Sequence, residues 1–164
     1  MNIIKRFFTT RAQGFNATRY FRLREKYYNS KSRLVRYIYV YMIKRIETKN
    51  GGYIGISNNN VFRGSRPRFI HGIKGVFISK ESSLGDNCVI FQNVTIGRNA
   101  KGEAPFIGNN VLIGANSVII GKVTIGNNVK IGAGCVVSID IPDNSVVVMN
   151  HPRVLINKNP EESF

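Results

Sequence analysis

Aliphatic residues recur every six positions through the second half of this chain. Ile78, Leu84, Ile90 and Ile96 are spaced by six, and so are Ile107, Ile113, Ile119, Ile125, Ile131 and Val137. A glycine follows most of them directly, at Gly85, Gly97, Gly108, Gly114, Gly126 and Gly132. Four residues after an aliphatic stands a small or β-branched side chain: Cys88, Val94, Val111, Ser117, Val123, Val129 and Cys135. A helix of 3.6 residues per turn scatters residues six apart around its cylinder, so it cannot bury this pattern on one face. A short strand followed by a tight corner can. Each hexad then makes one flat side of a coil, three hexads close a triangular turn, and each aliphatic stacks inward on its equivalents above and below. The Gly-Asn-Asn segments at 108–110 and 126–128 suit the corners, where both residue types accept positive φ.

At 164 residues the chain is one domain with an appended segment. Its two cysteines fall on the small inward position of a hexad and read as buried hydrophobes, not as a disulfide or a nucleophile. No apolar run is long enough to span a bilayer and no leader pattern opens the chain, so a cytoplasmic protein is expected. Charge is lopsided. Residues 1–50 hold 13 Lys and Arg against Glu25 and Glu47, a net of +11, whereas residues 51–164 hold 11 against 7, a net of +4. The first fifty residues also carry ten of the seventeen aromatics. Three readings fit a basic, aromatic segment: a membrane-surface helix, a solvated face packed on its own body, or, as the weakest, a nucleic-acid grip.

From Asn16, a cap candidate, Tyr20, Leu23 and Tyr27 predict a short helix broken at Asn29-Ser30. From about Lys31, Leu34, Ile38, Met42 and Ile46 recur every four residues and predict a second helix that Gly51 and Gly52 end. That stripe is expected to pack on the coil or on a neighbouring subunit. The β pattern starts irregularly at Tyr53, with Ile56 and Phe62 six apart, and becomes clean at Ile78. It breaks once, between Ile96 and Ile107, where five extra residues form a loop within 98–106; projecting loops of this kind carry function. The regular coil is expected to end at Ile141-Pro142-Asp143-Asn144, with Met149 and Leu155 keeping the count. The chain thus divides into a helical segment (1–50), a coil (51–156) and a polar tail (157–164).

These residues resemble the serine acetyltransferase branch of the hexapeptide acyltransferases. The resemblance covers residues 54–156. It rests on Phe69-Ile70-His71-Gly72, Gly75-Val76-Phe77-Ile78, Val94-Thr95-Ile96-Gly97 ahead of the loop, Ile113-Gly114-Ala115, Ile131-Gly132-Ala133-Gly134 and His151-Pro152-Arg153-Val154. It implies a left-handed parallel β-helix of hexapeptide repeats, three chains assembled as a homotrimer with sites between neighbours, acetyl-CoA as co-substrate, no metal, and His71 as general base, although the family's His-x-x-Gly is one residue longer here. Imidazole suits the task, because it can take a proton near neutral pH and return it to a leaving thiolate. The chain has one other histidine, His151.

For the remaining roles, Gly97 offers a backbone N–H near His71 as an oxyanion donor and Asn60 is a candidate to orient the base. Gly97, Ala115 and Ala133 would flank the pantetheine, and Lys122, Lys130 and Arg153 would meet the phosphates. Asn93, Lys101 and Glu103 would hydrogen-bond the acceptor. The family orients its base with an Asp where this chain has Gly55. It holds its amino acid with an Asp and an Arg-His pair where this chain has Ile70 and Glu103-Ala104. Without those charge pairs a zwitterionic acceptor is poorly held. The resemblance is therefore closer to transferases that acetylate sugar hydroxyls of capsular, lipopolysaccharide or exopolysaccharide glycans. Two other readings stand beside it, a serine O-acetyltransferase of cysteine biosynthesis and a non-catalytic basic trimer binding anions or an anionic membrane. A zinc enzyme on the same coil needs three histidines, and the chain has two.

Overall fold

The computed structural model of the protein describes residues 15–56 and 61–149. Among the described residues two helices come first. Helix α1 spans Ala17–Asn29, its Asn16 side chain accepting the Arg19 N–H at 2.8 Å. Helix α2 spans Arg33–Asn50, starts from a Ser32 cap, and stops at Gly51, which takes the left-handed conformation (φ 63°). Tyr20, Leu23 and Tyr27 are buried as the sequence predicts. The α2 stripe departs from expectation: Leu34 and Ile38 face solvent, Met42 and Ile46 are half-buried, and the inward face is built on Ile43 and Glu47. The sequence offers α2 two apolar sides, and the packing against α1 and the coil selects the other one.

Thirteen short strands follow among the described residues, all parallel, stacked on three faces. The first face holds β1 (Tyr53–Ile54), β3 (Phe77–Ile78), β6 (Thr95–Gly97), β9 (Val118–Ile120) and β12 (Val136–Val137). On the second lie β4 (Ser83–Leu84), β7 (Phe106–Ile107) and β10 (Thr124–Ile125), extended by single bridges from Phe62 and Ile141. β2 (Arg68–Ile73), β5 (Val89–Ile90), β8 (Leu112–Ile113), β11 (Lys130–Ile131) and β13 (Val146–Val147) make the third. The molecule is a parallel β-solenoid with an N-terminal helical pair.

The hexad aliphatics form the axial column. Ile78, Leu84, Ile90, Ile96, Ile107, Ile113, Ile119, Ile125 and Ile131 are wholly buried, and Cys88, Val94, Val111, Ser117, Val129 and Cys135 fill the corners between them. Each such aliphatic contributes about 1.5–3 kcal/mol by leaving water. Both cysteines are buried and free, and burial pushes the Cys88 thiol up from its ordinary range. In the first rung it is Ile54, not Ile56, that pairs with Ile78 and points inward. At the far end the coil does not stop at Ile141: that residue bridges to Ile125, and β13 adds a further strand to β11. Leu155 lies outside the described residues.

Glycine and asparagine divide the corners between them. On one edge the left-handed position belongs to asparagine, at Asn87, Asn110, Asn128 and Asn144; on another Asn93 and Asn116 share it with Gly75 and Gly134. The asparagine amides stack into ladders, Asn87 to Asn110 at 3.1 Å, Asn110 to Asn128 at 3.0 Å and Asn128 to Asn144 at 3.0 Å. The hexad glycines serve closeness instead: a Cβ on Gly108 would lie 2.6 Å from the Gly126 carbonyl oxygen.

The helices cap the first rung of the coil. Arg24, almost fully buried, donates to the carbonyls of Ile54 at 3.0 Å and Gly55 at 2.8 Å. Glu47 accepts from the Ile54 N–H at 3.2 Å, from Tyr20 Oη at 2.7 Å and from Lys44 Nζ at 2.7 Å. Burial drives the Tyr20 hydroxyl far above its ordinary pKa, so it remains a donor. This network satisfies the open edge of β1, which would otherwise present unpaired backbone groups. Phe15, Phe21, Phe62 and Phe69 seal the junction with ring contacts of 5.7–6.3 Å.

Candidate active site

Two edges flank the first face, and the sequence-predicted site residues divide between them. On the edge joining the third face to the first lie His71, Asn93, Ala115 and Ala133. Asn93 N–H donates to the Lys74 carbonyl at 3.0 Å, Asn116 to Gln92 at 3.1 Å and Gly134 to Ala115 at 2.8 Å, so Lys74, Gln92, Ala115 and Ala133 stand in register up one line. His71 sits where this line is interrupted. Phe69 is opposite Ile90, and Lys74 takes the place that Gln92 fills one rung on, so four residues (70–73) stand in the first rung where Phe91 alone stands in the second. Three extra residues therefore bulge at this corner, with Gly72 in the left-handed conformation (φ 68°) to turn them. The bulge carries His71 half-buried, its ring edge-on to Phe91 at 6.0 Å. Beyond it the edge is lined by the small side chains of Ala115 and Ala133.

Gly97, Lys101, Glu103 and Lys122 lie on the opposite edge, joining the first face to the second. The inserted loop between β6 and β7 is tied to itself there. Asn99 Oδ1 accepts the N–H groups of Lys101 and Glu103, each at 3.0 Å, and Asn99 Nδ2 donates to Glu103 at 3.0 Å. Lys122 Nζ stands 3.4 Å from the same carboxylate. The Asn99 amide first, and Lys122 after it, hold the Glu103 carboxyl below the usual carboxylate range. Glu81, hydrogen-bonded by Ser79 and facing Arg98 at 3.5 Å, is likewise held down. Within one chain this edge is a full face-width from His71. Gly97 is also bound into the sheet: it faces Ile120 in register, and its carbonyl accepts the Gly121 N–H at 3.1 Å. That parallel pattern engages the Gly97 N–H in the ladder, so it is not a free oxyanion donor, and its expected nearness to His71 does not hold within the chain.

Lys130 lies on β11, facing outward from the third face and exposed. Asn60 and Arg153 lie outside the described residues. The Asn93 amide, exposed beside His71, donates to Asn116 at 3.0 Å and so serves the corner ladder. Gly55 has a plain reason for being glycine, because a Cβ there would fall 2.3 Å from the Lys80 nitrogen. No carboxylate side chain fits at this position, so an acidic residue cannot orient His71 from it.

One residue on the His71 edge was not singled out by sequence reasoning. Gln92 follows the Phe91 ring directly, and its side-chain Oε1 is buried without a hydrogen-bond partner. A buried orphan acceptor costs about 1–3 kcal/mol, and an apolar side chain of the same shape would avoid that cost. The sequence signal was a polar residue in the line that Ala115 and Ala133 continue. The bulge too had a signal, since Phe69 and Ile78 are nine apart where the regular rung has six.

Residues 104–138 match the family described as bacterial transferase hexapeptide (six repeats). The chain is 39% identical over 89 residues to a serine acetyltransferase of Bacillus pumilus, covering 52% of this chain and 41% of that protein. It is 47% identical over 91 residues to a protein of Escherichia coli K12 assigned by name to acetyl transfer in colanic acid biosynthesis (WcaB), covering 54% of this chain and 56% of the relative. The structure of soybean serine acetyltransferase complexed with serine superposes with a TM-score of 0.68 at 31% identity, over 88% of this chain and 58% of that one. The chain thus spans about half the length of the relatives it matches. The solenoid and its matched repeat are similar to those of the bacterial hexapeptide transferases. The sequence is similar both to serine acetyltransferases and to the colanic acid acetyltransferase of Escherichia coli.

Proposed function

We propose that this protein is an acetyl-CoA-dependent O-acetyltransferase that acylates a sugar hydroxyl of a capsular, lipopolysaccharide or exopolysaccharide glycan or its precursor. One observation carries the reading: a bulge presents His71 at the head of an edge that continues through Gln92 to the small side chains of Ala115 and Ala133. Small side chains leave room for a pantetheine arm, whose amides would pair with corner backbone, and the arm would end beside the imidazole. His71 takes the proton of the acceptor hydroxyl, the oxygen attacks the thioester carbon, the C–S bond breaks, and the imidazolium returns the proton to the thiolate. Lys130 and Arg153 are the cations proposed for the phosphates.

A trimer accounts for the separation of the two edges. The first face between them exposes Tyr53, Phe77, Ile120 and Val136, the last to 72%, which is an unusual apolar load for a solvated sheet. With first faces turned toward a threefold axis, the His71 edge of one protomer meets the loop edge of the next, bringing Lys101 and Glu103 toward the acceptor and Lys122 toward the coenzyme phosphates. The same basic character makes peripheral contact with an anionic membrane part of the proposal. It would act on the cytoplasmic side, where acetyl-CoA is made.

The glycan assignment rests on subtraction and on one relative. Gly55, Ile70, Glu103 and Ala104 stand where the serine enzymes keep the groups that orient the base and hold an amino acid, and the Escherichia coli relative carries a polysaccharide name. Likeness to serine acetyltransferases keeps free serine as the second reading. The test is thiol release from acetyl-CoA with purified protein against glycans, lipid-linked sugar precursors and L-serine. Turnover on a sugar with little on serine supports the proposal, and efficient O-acetylserine formation overturns it.

A further inference from the structure

The tip of the α1–α2 hairpin is the part of the molecule that neither the coil nor the candidate site explains. Leu34, Tyr37, Ile38 and Tyr41 recur at i, i+3, i+4 and i+7 along α2, and all four point to solvent, Leu34 at 72% and Tyr37 at 67% exposure. Arg45 continues the stripe, its guanidinium 6.0 Å from the Tyr41 ring centroid. Beside this stripe a cleft of about 240 Å³ opens between the helices, lined by Tyr27, Arg33, Arg36, Tyr37 and Val40. Arg36 is fixed in it, donating to Tyr27 Oη at 3.0 Å and lying 4.6 Å over the ring.

The charges here oppose the helix they sit on. Lys31, Arg33 and Arg36 cluster at the N-terminal end of α2, whose first turn holds no acidic residue. Cations at that end are disfavoured by the helix dipole, whereas an anion is favoured twice, by the dipole and by the guanidinium groups. Among the described residues no carboxylate lies within ion-pair distance of Lys31, Arg33, Arg36 or Arg45. An exposed apolar stripe with two tyrosines, flanked by uncompensated cations, has the composition of a helix lying in a bilayer interface. No helix among the described residues is long and apolar enough to cross a membrane.

We propose that this hairpin tip is a membrane-docking surface: Leu34, Tyr37, Ile38 and Tyr41 enter the headgroup region of an anionic bilayer while a phospholipid phosphate seats between Arg33 and Arg36. This gives the membrane contact proposed above a surface and a chemistry, and its test is independent of acyl transfer. The full chain is co-sedimented with vesicles of phosphatidylcholine alone and with vesicles containing phosphatidylglycerol, at low and high salt. Binding is expected to the anionic vesicles only, weakening as salt rises. The double variant Arg33→Gln/Arg36→Gln should lower vesicle partitioning on the order of 10-fold, and the triple variant Tyr37→Ser/Ile38→Ser/Tyr41→Ser should lower it at least as much. Circular dichroism checks that both variants stay folded. Equal binding to neutral vesicles, no binding by the wild-type chain, or undiminished binding by the arginine variant overturns the proposal. A fall in oligomeric mass of the triple variant with no vesicle binding by the wild-type chain would assign the face to a second copy instead.

Discussion

The two edges that flank the first face of the solenoid are built from the same hexads and differ in what their insertions do. At the His71 edge three extra residues form a bulge that sets the imidazole edge-on to Phe91, and the line beyond them holds Gln92, whose Oε1 is an orphan, and the small side chains of Ala115 and Ala133. At the opposite edge the inserted loop closes on Asn99, and its carboxylates already have lysine or arginine neighbours. A loop closed on its own hydrogen bonds is fixed in place, whereas an edge of small side chains leaves room for a ligand. The comparison teaches that the edge proposed to hold the base is marked by its bulge and its small side chains more than by the density of polar residues, which is greater on the opposite edge.

Removing the proposed base is the hardest test of this contrast. His71→Ala or His71→Asn should lower acetyl-CoA turnover by at least ~10²-fold, with the melting temperature little changed because the side chain is half-buried on a bulge. A variant that keeps its turnover would move the site off this edge. Next in size, Ala115→Leu should raise the KM for acetyl-CoA on the order of 10-fold, since overpacking a contact line costs about 1–3 kcal/mol, while Lys101→Ala on the opposite edge should leave that KM alone. Equal effects from the two would erase the distinction between the edges.

Gln92→Leu sharpens the comparison by splitting two observables. Deleting a buried orphan acceptor should raise stability by about 1 kcal/mol in a denaturant melt, yet lower turnover if the amide meets substrate. Loss of both stability and turnover would instead mark Gln92 as an ordinary packing residue. The smallest effect concerns pH. Glu81 and Glu103 titrate below their ordinary range, so their contribution to the folded state is complete above the unfolded carboxylate range and disappears as pH falls through the depressed values. Melting temperatures of Glu81→Gln and wild type should accordingly converge on acidification below pH ~4 and differ modestly at neutral pH. A gap that widened toward acid would reverse the assigned sign.

Much of this molecule could be read before it was seen. A six-residue period decides which side chains point inward, because strand residues alternate and a flat-sided coil repeats that alternation at every rung. Ile78 through Val137 could therefore be assigned to the core, Asn16, Ser30 and Gly51 to helix ends, and both cysteines to packing. The division of His71 and Gly97 between opposite edges was also legible, since counting hexads in threes from Ile78 puts Ile96 on the same face and its following corner on the far side. Sequence reading overlooked that count and set the two residues side by side.

Tertiary structure alone decided the rest. α2 carries apolar residues on two sides, and a pattern with two solutions is resolved only by the area each side can bury, which sent Ile43 inward and left Leu34, Ile38 and Tyr41 outside. Gly55 is glycine because Lys80 of the next rung crowds it, a contact between residues 25 apart in sequence. Gln92 Oε1 is an orphan because, among the described residues, the coil around it brings no donor within reach. Local period fixes the direction in which a side chain points; what it meets there depends on chain returning from a full turn away, and that is a property of the closed fold.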